Sequence, residues 1–180
     1  MVKKGIGPKK WTALGVPFIF AAGAALHFAY PLSGRSGLVA PFAPVNESVW
    51  EHTKMAYLPT VGWWGGYYAA HRDSISADRW FTAAAAALIA CIAAMPMGYY
   101  LYTGIIGRHF LAADISLLAI AAAISQGLGW HVYKHSRRGS TLTAAAVIAA
   151  VGGVFWLFTR RPPRLPLFRD PLTGDYGTGR

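Results

Sequence analysis

The chain has 180 residues, of which 54% are hydrophobic and only 13% are charged, and its formal net charge is +10. Soluble domains carry roughly 25% charged residues, so this chain has too little charge to cover a water-facing surface. Its 17 Lys and Arg lie almost entirely at the ends of apolar runs, where basic residues meet lipid headgroups, which argues against nucleic acid as a partner. Composition therefore predicts an integral membrane protein whose main partner is the lipid bilayer.

Five apolar segments follow one another along the chain, each suited to a helix that crosses roughly 30 Å of hydrocarbon. They are predicted over residues 11–30, 52–70, 81–102, 111–133 and 141–158. A basic leader (1–10) precedes them, and a basic tail rich in Pro and Gly (160–180) follows. The sequence thus predicts an all-α fold, an integral membrane helical bundle of about five spans in one domain over 11–159.

Two connecting segments are harder to assign. Residues 31–45 are apolar but contain Pro31, Pro41 and Pro44, so they cannot form one helix and are predicted to re-enter the bilayer or lie at its surface. The tail is open to two interpretations. Its apolar residues, among them Phe168, can strap it onto the domain, or it is disordered.

The start of the second span carries capping residues. Asn46 is predicted to be the N-cap, because its side-chain oxygen can accept from a free backbone N–H of the first turn. Ser48 and Glu51 have capping-box spacing and give a second possible register. Pro59 is predicted to kink the helix that follows.

The most chemically dense stretch is Asn46-Glu47-Ser48-Val49-Trp50-Glu51-His52, followed closely by Lys54. On a helix that includes both, Glu47 and Glu51 would repel one another, and Lys54 on the same face would relieve that repulsion. A bound metal ion or a protonated carboxyl would do the same. The plain interpretation is an acidic first helical turn at the water boundary.

Alternation of five spans places loops one and three and the tail on the same side of the membrane, which brings His27, Arg108 and Asp114 to the motif. His27 and Asp114 are predicted one turn inside the membrane, where an ionisable group is costly and usually functional. The predicted ligand- or ion-binding residues are His27, Asn46, Glu47, Glu51, His52, Lys54, Arg108 and Asp114. Within them, His27, Glu51, His52 and Asp114 form a candidate site for a divalent metal, able to activate water or relay protons.

Other chemistries remain open at this stage. Haem between His27 and His52 is geometrically allowed, and Ser48 offers a weak candidate nucleophile. His131 and His135 share one helix face, as a metal pair requires, but the topology places them on the opposite side of the membrane. Their basic neighbours favour an interfacial helix end.

Several segments together resemble one family. They are Leu26-His27-Phe28-Ala29-Tyr30, Val45 to His52 with Lys54, Tyr102-Thr-Gly-Ile-Ile-Gly107 before Asp114, and the tail from Pro166 to Gly177. This pattern is similar to that of an uncharacterised family of small bacterial multi-pass membrane proteins. The resemblance implies a helical membrane fold with the motif on the functional side, and it leaves the activity open.

The predicted function is the binding of a small ligand, metal or ion in a polar pocket on the side of loops one and three. One alternative is an accessory or structural subunit of a larger membrane complex, or a homo-oligomer. Another is a membrane-embedded, metal-dependent hydrolase. Basic residues in the leader and in loops two and four favour a cytoplasmic N-terminus in the cell membrane, although the arginines of the tail favour the reverse.

Overall fold

The computed structural model describes residues 5–179, and within them the fold is all-helical without a β-strand, which confirms the predicted class. The helices are α1 (Pro8–His27), α2 (Ala29–Leu32), α3 (Val49–Thr53), α4 (Tyr57–His71), α5 (Ala77–Ile106), α6 (Leu111–His135) and α7 (Thr141–Arg160). Short 3₁₀ turns cover Lys54–Ala56 and Pro166–Phe168. Residues 1–4 of the predicted leader lie outside the described part of the chain.

Three helices, α5, α6 and α7, are long and apolar enough to cross a membrane. α1 is less apolar because Lys9, Lys10 and His27 lie within it. α4 has only 15 residues, because the helical segment that starts at Val49 is interrupted by the 3₁₀ turn before Tyr57. The structure therefore supports a bilayer environment through these three helices.

The helix ends follow from local chemistry. α1 begins at Pro8, where the missing N–H of proline costs nothing because the first turn has free N–H groups anyway. α5 continues beyond the predicted end at residue 102 and stops at Gly107, whose φ of 79° is left-handed. α7 is capped by Ser140, whose hydroxyl accepts from the backbone N–H of Thr143.

The centre of the bundle is the pair α5–α6, against which α1 and α7 pack on different sides. Small side chains allow these helices to approach closely. Such packing is usual in membranes, because the hydrophobic effect does not drive helices together in lipid and association depends on van der Waals contact. At one such approach the Ser125 hydroxyl donates to the Ala87 carbonyl at 2.8 Å. Close packing there fixes α6 relative to α5, and α6 in turn supports α1.

The helical segment that was predicted to bend at Pro59 is irregular just before this residue. The backbone changes from α3 to a 3₁₀ turn and then to α4, and Pro59 falls in the first turn of α4. Proline has no N–H for the carbonyl four residues earlier, that of Met55, which lies in the 3₁₀ turn. The kink itself stays a prediction.

The tail is ordered against the motif. Phe168 is buried and packs on Trp50, with ring centroids 4.9 Å apart, and on Phe158 at 5.4 Å. The backbone from Asp170 to Asp175 closes a turn through an Asp170 N–H to Asp175 carbonyl bond of 2.9 Å. Of the two interpretations of the tail, the strap is therefore the correct one.

Candidate functional site

The motif helix begins at Val49, with Ser48 as its cap. The Ser48 hydroxyl accepts from the Glu51 backbone N–H at 3.3 Å. Asn46 lies one turn outside the helix, where its side-chain oxygen accepts from the Ser48 N–H at 2.9 Å and its amide donates to the Gly177 carbonyl at 2.8 Å. The prediction of Asn46 as N-cap is wrong, because the tail holds Asn46, and the second register is confirmed.

This register separates the two glutamates, since only Glu51 lies on the helix. Glu51 and Lys54 form a buried ion pair with a nitrogen–oxygen distance of 2.5 Å. The Lys54 ammonium also donates to the Ala40 carbonyl at 3.0 Å and to the Thr159 hydroxyl at 2.5 Å, while the Glu51 carboxylate accepts from the Val45 N–H at 2.9 Å. Burial raises the pKa of Glu51, and the adjacent ammonium opposes that shift.

All three protons of the Lys54 ammonium have acceptors. These acceptors lie in loop one, in the motif helix and in α7, so the lysine connects the three segments. The Lys54 ammonium therefore has no proton left to donate to a ligand. Glu51 and Lys54, both predicted ligand-binding residues, therefore stand apart from the open cluster beside them.

Glu47 takes the place that was predicted for Glu51. Its carboxylate oxygens lie 3.7 Å from Nε2 of His27 and 3.4 Å from Nε2 of His52. One potential ligand atom from each of the three residues lies within 4.8 Å of the others. Hydrogen bonding with His52 lowers the pKa of Glu47, so the carboxylate is ionised.

Both histidines face this carboxylate through Nε2. Nδ1 of His52 lies 2.9 Å from the Ser48 carbonyl, which can only accept, so Nδ1 carries a proton. Nε2 of His52 donates to Glu47 while it is protonated, and after loss of that proton its lone pair can bind a cation. The His27 ring stacks on the His52 ring with centroids 5.3 Å apart. Among the residues that the structure describes, the buried Nδ1 of His27 has no hydrogen-bond partner.

Asp114 lies near the cluster but has its own partners. The Tyr102 hydroxyl donates to one carboxylate oxygen, and Nδ1 of His109 lies 3.3 Å from the other. The Asp114 charge acts electrostatically on His52 without contacting it. Asp114 is thus a neighbour of the cluster rather than a member.

A protein family of unknown function, DUF6512, matches residues 1–178 of the chain. The chain belongs to the DUF6512 family. No curated protein and no solved structure matches it. The predicted membership of a family of unknown function is confirmed.

Of the predicted metal set in this DUF6512 chain, the structure brings together His27 and His52, and it replaces Glu51 and Asp114 with Glu47. Arg108 is exposed beside the Asp114 group. The sequence feature that could have indicated the position of Glu47 is the capping-box spacing of Ser48 and Glu51. A helix that starts after Ser48 leaves Glu47 outside the helix, free to turn towards the histidines.

Two alternative chemistries do not fit the geometry. Haem between His27 and His52 does not fit this arrangement, because the two rings stack side by side with both Nε2 atoms directed at Glu47, whereas axial ligands face one another across the iron. Ser48 is fully buried and its hydroxyl caps α3, so it is not available as a nucleophile. His131 and His135 lie at the exposed C-terminal end of α6, where Nδ1 of His135 bonds the His131 carbonyl.

Close packing of α1 on the 3₁₀ turn positions His27. A Cβ at Gly23, one turn before His27, would lie 2.8 Å from the Met55 carbonyl oxygen and 3.1 Å from Leu118 Cδ2. We expect Gly23→Leu to lower the free energy of unfolding in detergent by about 1–3 kcal/mol, because the backbone of the turn cannot yield. Gly153→Leu, where a Cβ meets nothing within 4 Å, is the control. Equal unfolding midpoints for the two variants would contradict this packing.

Proposed function

We propose that this protein is a multi-pass membrane protein that binds a divalent transition metal through His27, Glu47 and His52. The observation that carries the proposal is the convergence of two imidazoles and one carboxylate, with ligand atoms within 4.8 Å of one another. When Nε2 of each imidazole is deprotonated, the two lone pairs and the carboxylate can bind one cation, and this nitrogen–oxygen set suits zinc and its neighbours in the transition series.

The site is proposed to be of the open kind. The side chains of His27 and His52 are 29% and 30% exposed and that of Glu47 is 43% exposed, so an ion held by these three residues would remain accessible to solvent. Structural zinc sites use four protein ligands, whereas sites that bind water or substrate use three. This exposure also supports a second candidate function, a membrane-embedded hydrolase in which the ion activates water.

The membrane arrangement belongs to the same proposal. α1 and α4 pack beside α5 and α6, and in this proposal they complete a bundle of five spans with α5, α6 and α7. A helix of 20 residues such as α1 covers about 30 Å, the thickness of the hydrocarbon core. With the N-terminus in the cytoplasm, the metal site at the far end of α1 faces the outside of the cell.

Metal binding is tested on the full chain in mild detergent, by elemental analysis after equilibration with zinc and by the visible spectrum after substitution with cobalt. We expect about one ion per chain, with tetrahedral cobalt absorption. Glu47→Gln and His52→Ala should each weaken binding by at least about 100-fold, since each removes a direct ligand.

His135→Ala is the matched control, because His135 is an exposed histidine at the opposite end of the bundle. It should bind zinc as the unmodified protein does. Equal zinc content in the Glu47→Gln, His52→Ala and His135→Ala proteins would refute the site, as would no zinc in any of them.

A further inference from the structure

Glu47 differs from the other two proposed metal ligands because it does not lie on a helix. His27 is the last residue of α1, and His52 lies within α3. Glu47 precedes α3, which begins at Val49. The Glu47 side chain is also the most exposed of the three, at 43%. A ligand on irregular backbone depends on contacts from elsewhere in the chain for its position.

The C-terminal tail supplies such contacts. Oδ2 of the Asp170 carboxylate accepts from the Glu47 backbone N–H at 3.1 Å. The Gly177 carbonyl accepts from the Asn46 amide at 2.8 Å, and the Asn46 side-chain oxygen accepts from the Ser48 N–H at 2.9 Å. The tail therefore holds the backbone of Glu47 directly and also through the preceding residue.

The two oxygens of the Asp170 carboxylate have separate partners. Oδ1 accepts from the backbone N–H groups of Leu172 at 2.7 Å and Thr173 at 3.2 Å, which closes the turn of the tail. Oδ2 bonds the Glu47 N–H alone. Asp170 is only 4% exposed, so water competes little for either oxygen. One oxygen thus shapes the tail, and the other holds the loop that carries the ligand.

We propose that Asp170 is a positioning residue of the metal site, which acts through the backbone of Glu47 and does not contact the ion. This inference rests on the proposed metal site, and it adds the part that the tail takes in metal binding. A carboxylate whose backbone is already fixed loses less conformational freedom when it binds an ion, so the tail should strengthen binding. Groups that orient a metal ligand typically contribute about 10–100-fold in affinity.

Asp170→Asn tests the contact with almost no change in side-chain volume. The amide oxygen can replace Oδ1 and keep the bonds to Leu172 and Thr173, which leaves an NH₂ donor facing the Glu47 N–H. We expect the zinc affinity of the full chain in detergent, measured by competition with a chelating dye, to fall about tenfold or more. Asp175→Asn removes the same charge from an exposed side chain in the same turn, and it should bind zinc normally.

The same change in a Glu47→Gln background separates positioning from a general effect on charge or stability. If Asp170 acts through Glu47, Asp170→Asn should weaken zinc binding less than about twofold once the Glu47 carboxylate is gone. An equal loss in both backgrounds overturns the inference, since a general effect does not depend on Glu47. Unchanged zinc affinity of Asp170→Asn, in a protein that otherwise binds zinc, also overturns it. Absence of zinc from the unmodified protein instead refutes the metal site, and the inference with it.

Discussion

Lys54→Met is expected to lower the free energy of unfolding by about 3–5 kcal/mol, because it leaves the buried Glu51 carboxylate without its partner. Lys54 is fully buried and Glu51 is 2% exposed, so water cannot replace the lost ion pair. The acceptors on Ala40 and Thr159 lose their donor as well. Chemical unfolding in detergent, followed by tryptophan fluorescence, measures the effect.

The double variant Glu51→Gln, Lys54→Met separates the cost of an unpaired charge from the loss of packing. We expect it to recover much of the lost stability, since replacing both members of a buried pair is far milder than removing one. Lys134→Met, at an exposed lysine near the end of α6, is the matched control and should unfold as the unmodified protein does. A Lys54→Met protein as stable as this control would show that the ion pair is not buried.

Asp170→Ala is expected to release the tail. The Asp170 side chain is buried and accepts from three backbone N–H groups, those of Glu47 at 3.1 Å, Leu172 at 2.7 Å and Thr173 at 3.2 Å. Its loss leaves these partly buried donors without their acceptor, at a cost of about 1–3 kcal/mol for each one that water does not reach. Trypsin should then cleave the arginine-rich tail faster than in the unmodified protein.

Asp175→Ala is the control for this experiment, because Asp175 lies in the same turn with an exposed side chain. Its tail should resist trypsin as the unmodified tail does. If Asp170→Ala and Asp175→Ala are cleaved at the same rate, the carboxylate of Asp170 does not hold the tail.

The helices were predictable from sequence because each apolar run is long and bounded by polar or turn residues. α6, predicted over 111–133, covers Leu111–His135, and α7, predicted over 141–158, covers Thr141–Arg160. α5 was predicted too short at its C-terminal end, because Thr103 and Gly104 are typical of turns, yet helical hydrogen bonding continues to Gly107.

The site was only partly predictable, because its geometry depends on residues far away in the chain. His27 and His52 were recognisable as ionisable groups at the ends of apolar runs. The sequence did not show which glutamate, Glu47 or Glu51, would lie beside the histidines. Lys54 pairs with Glu51 and keeps it away from them, and Lys54 is itself oriented by Ala40 and by Thr159 on α7. The capping-box spacing of Ser48 and Glu51 indicates locally that Glu47 lies outside the helix, but it does not indicate which partners the two glutamates have.

The position of Asn46 was likewise not predictable from local sequence. Its amide reaches Gly177, a partner 131 residues further along the chain, and this contact overrides the local preference of asparagine for a helix cap.

The tail was ambiguous for a related reason. Proline and glycine predict turns, but only the buried contacts of Phe168 with Trp50 and Phe158 show that those turns are held in place.

The contacts between the tail and loop one have a consequence for the order of assembly. Glu47 can be held in place only after Asp170 and Gly177 have been synthesised, since these residues bond the Glu47 N–H and its neighbour Asn46. During translation and membrane insertion, the first loop therefore cannot make its final contacts until residues 170–177 have left the ribosome. A chain that stops before residue 170 can form its helices but lacks the contacts that hold Asn46 and the Glu47 backbone.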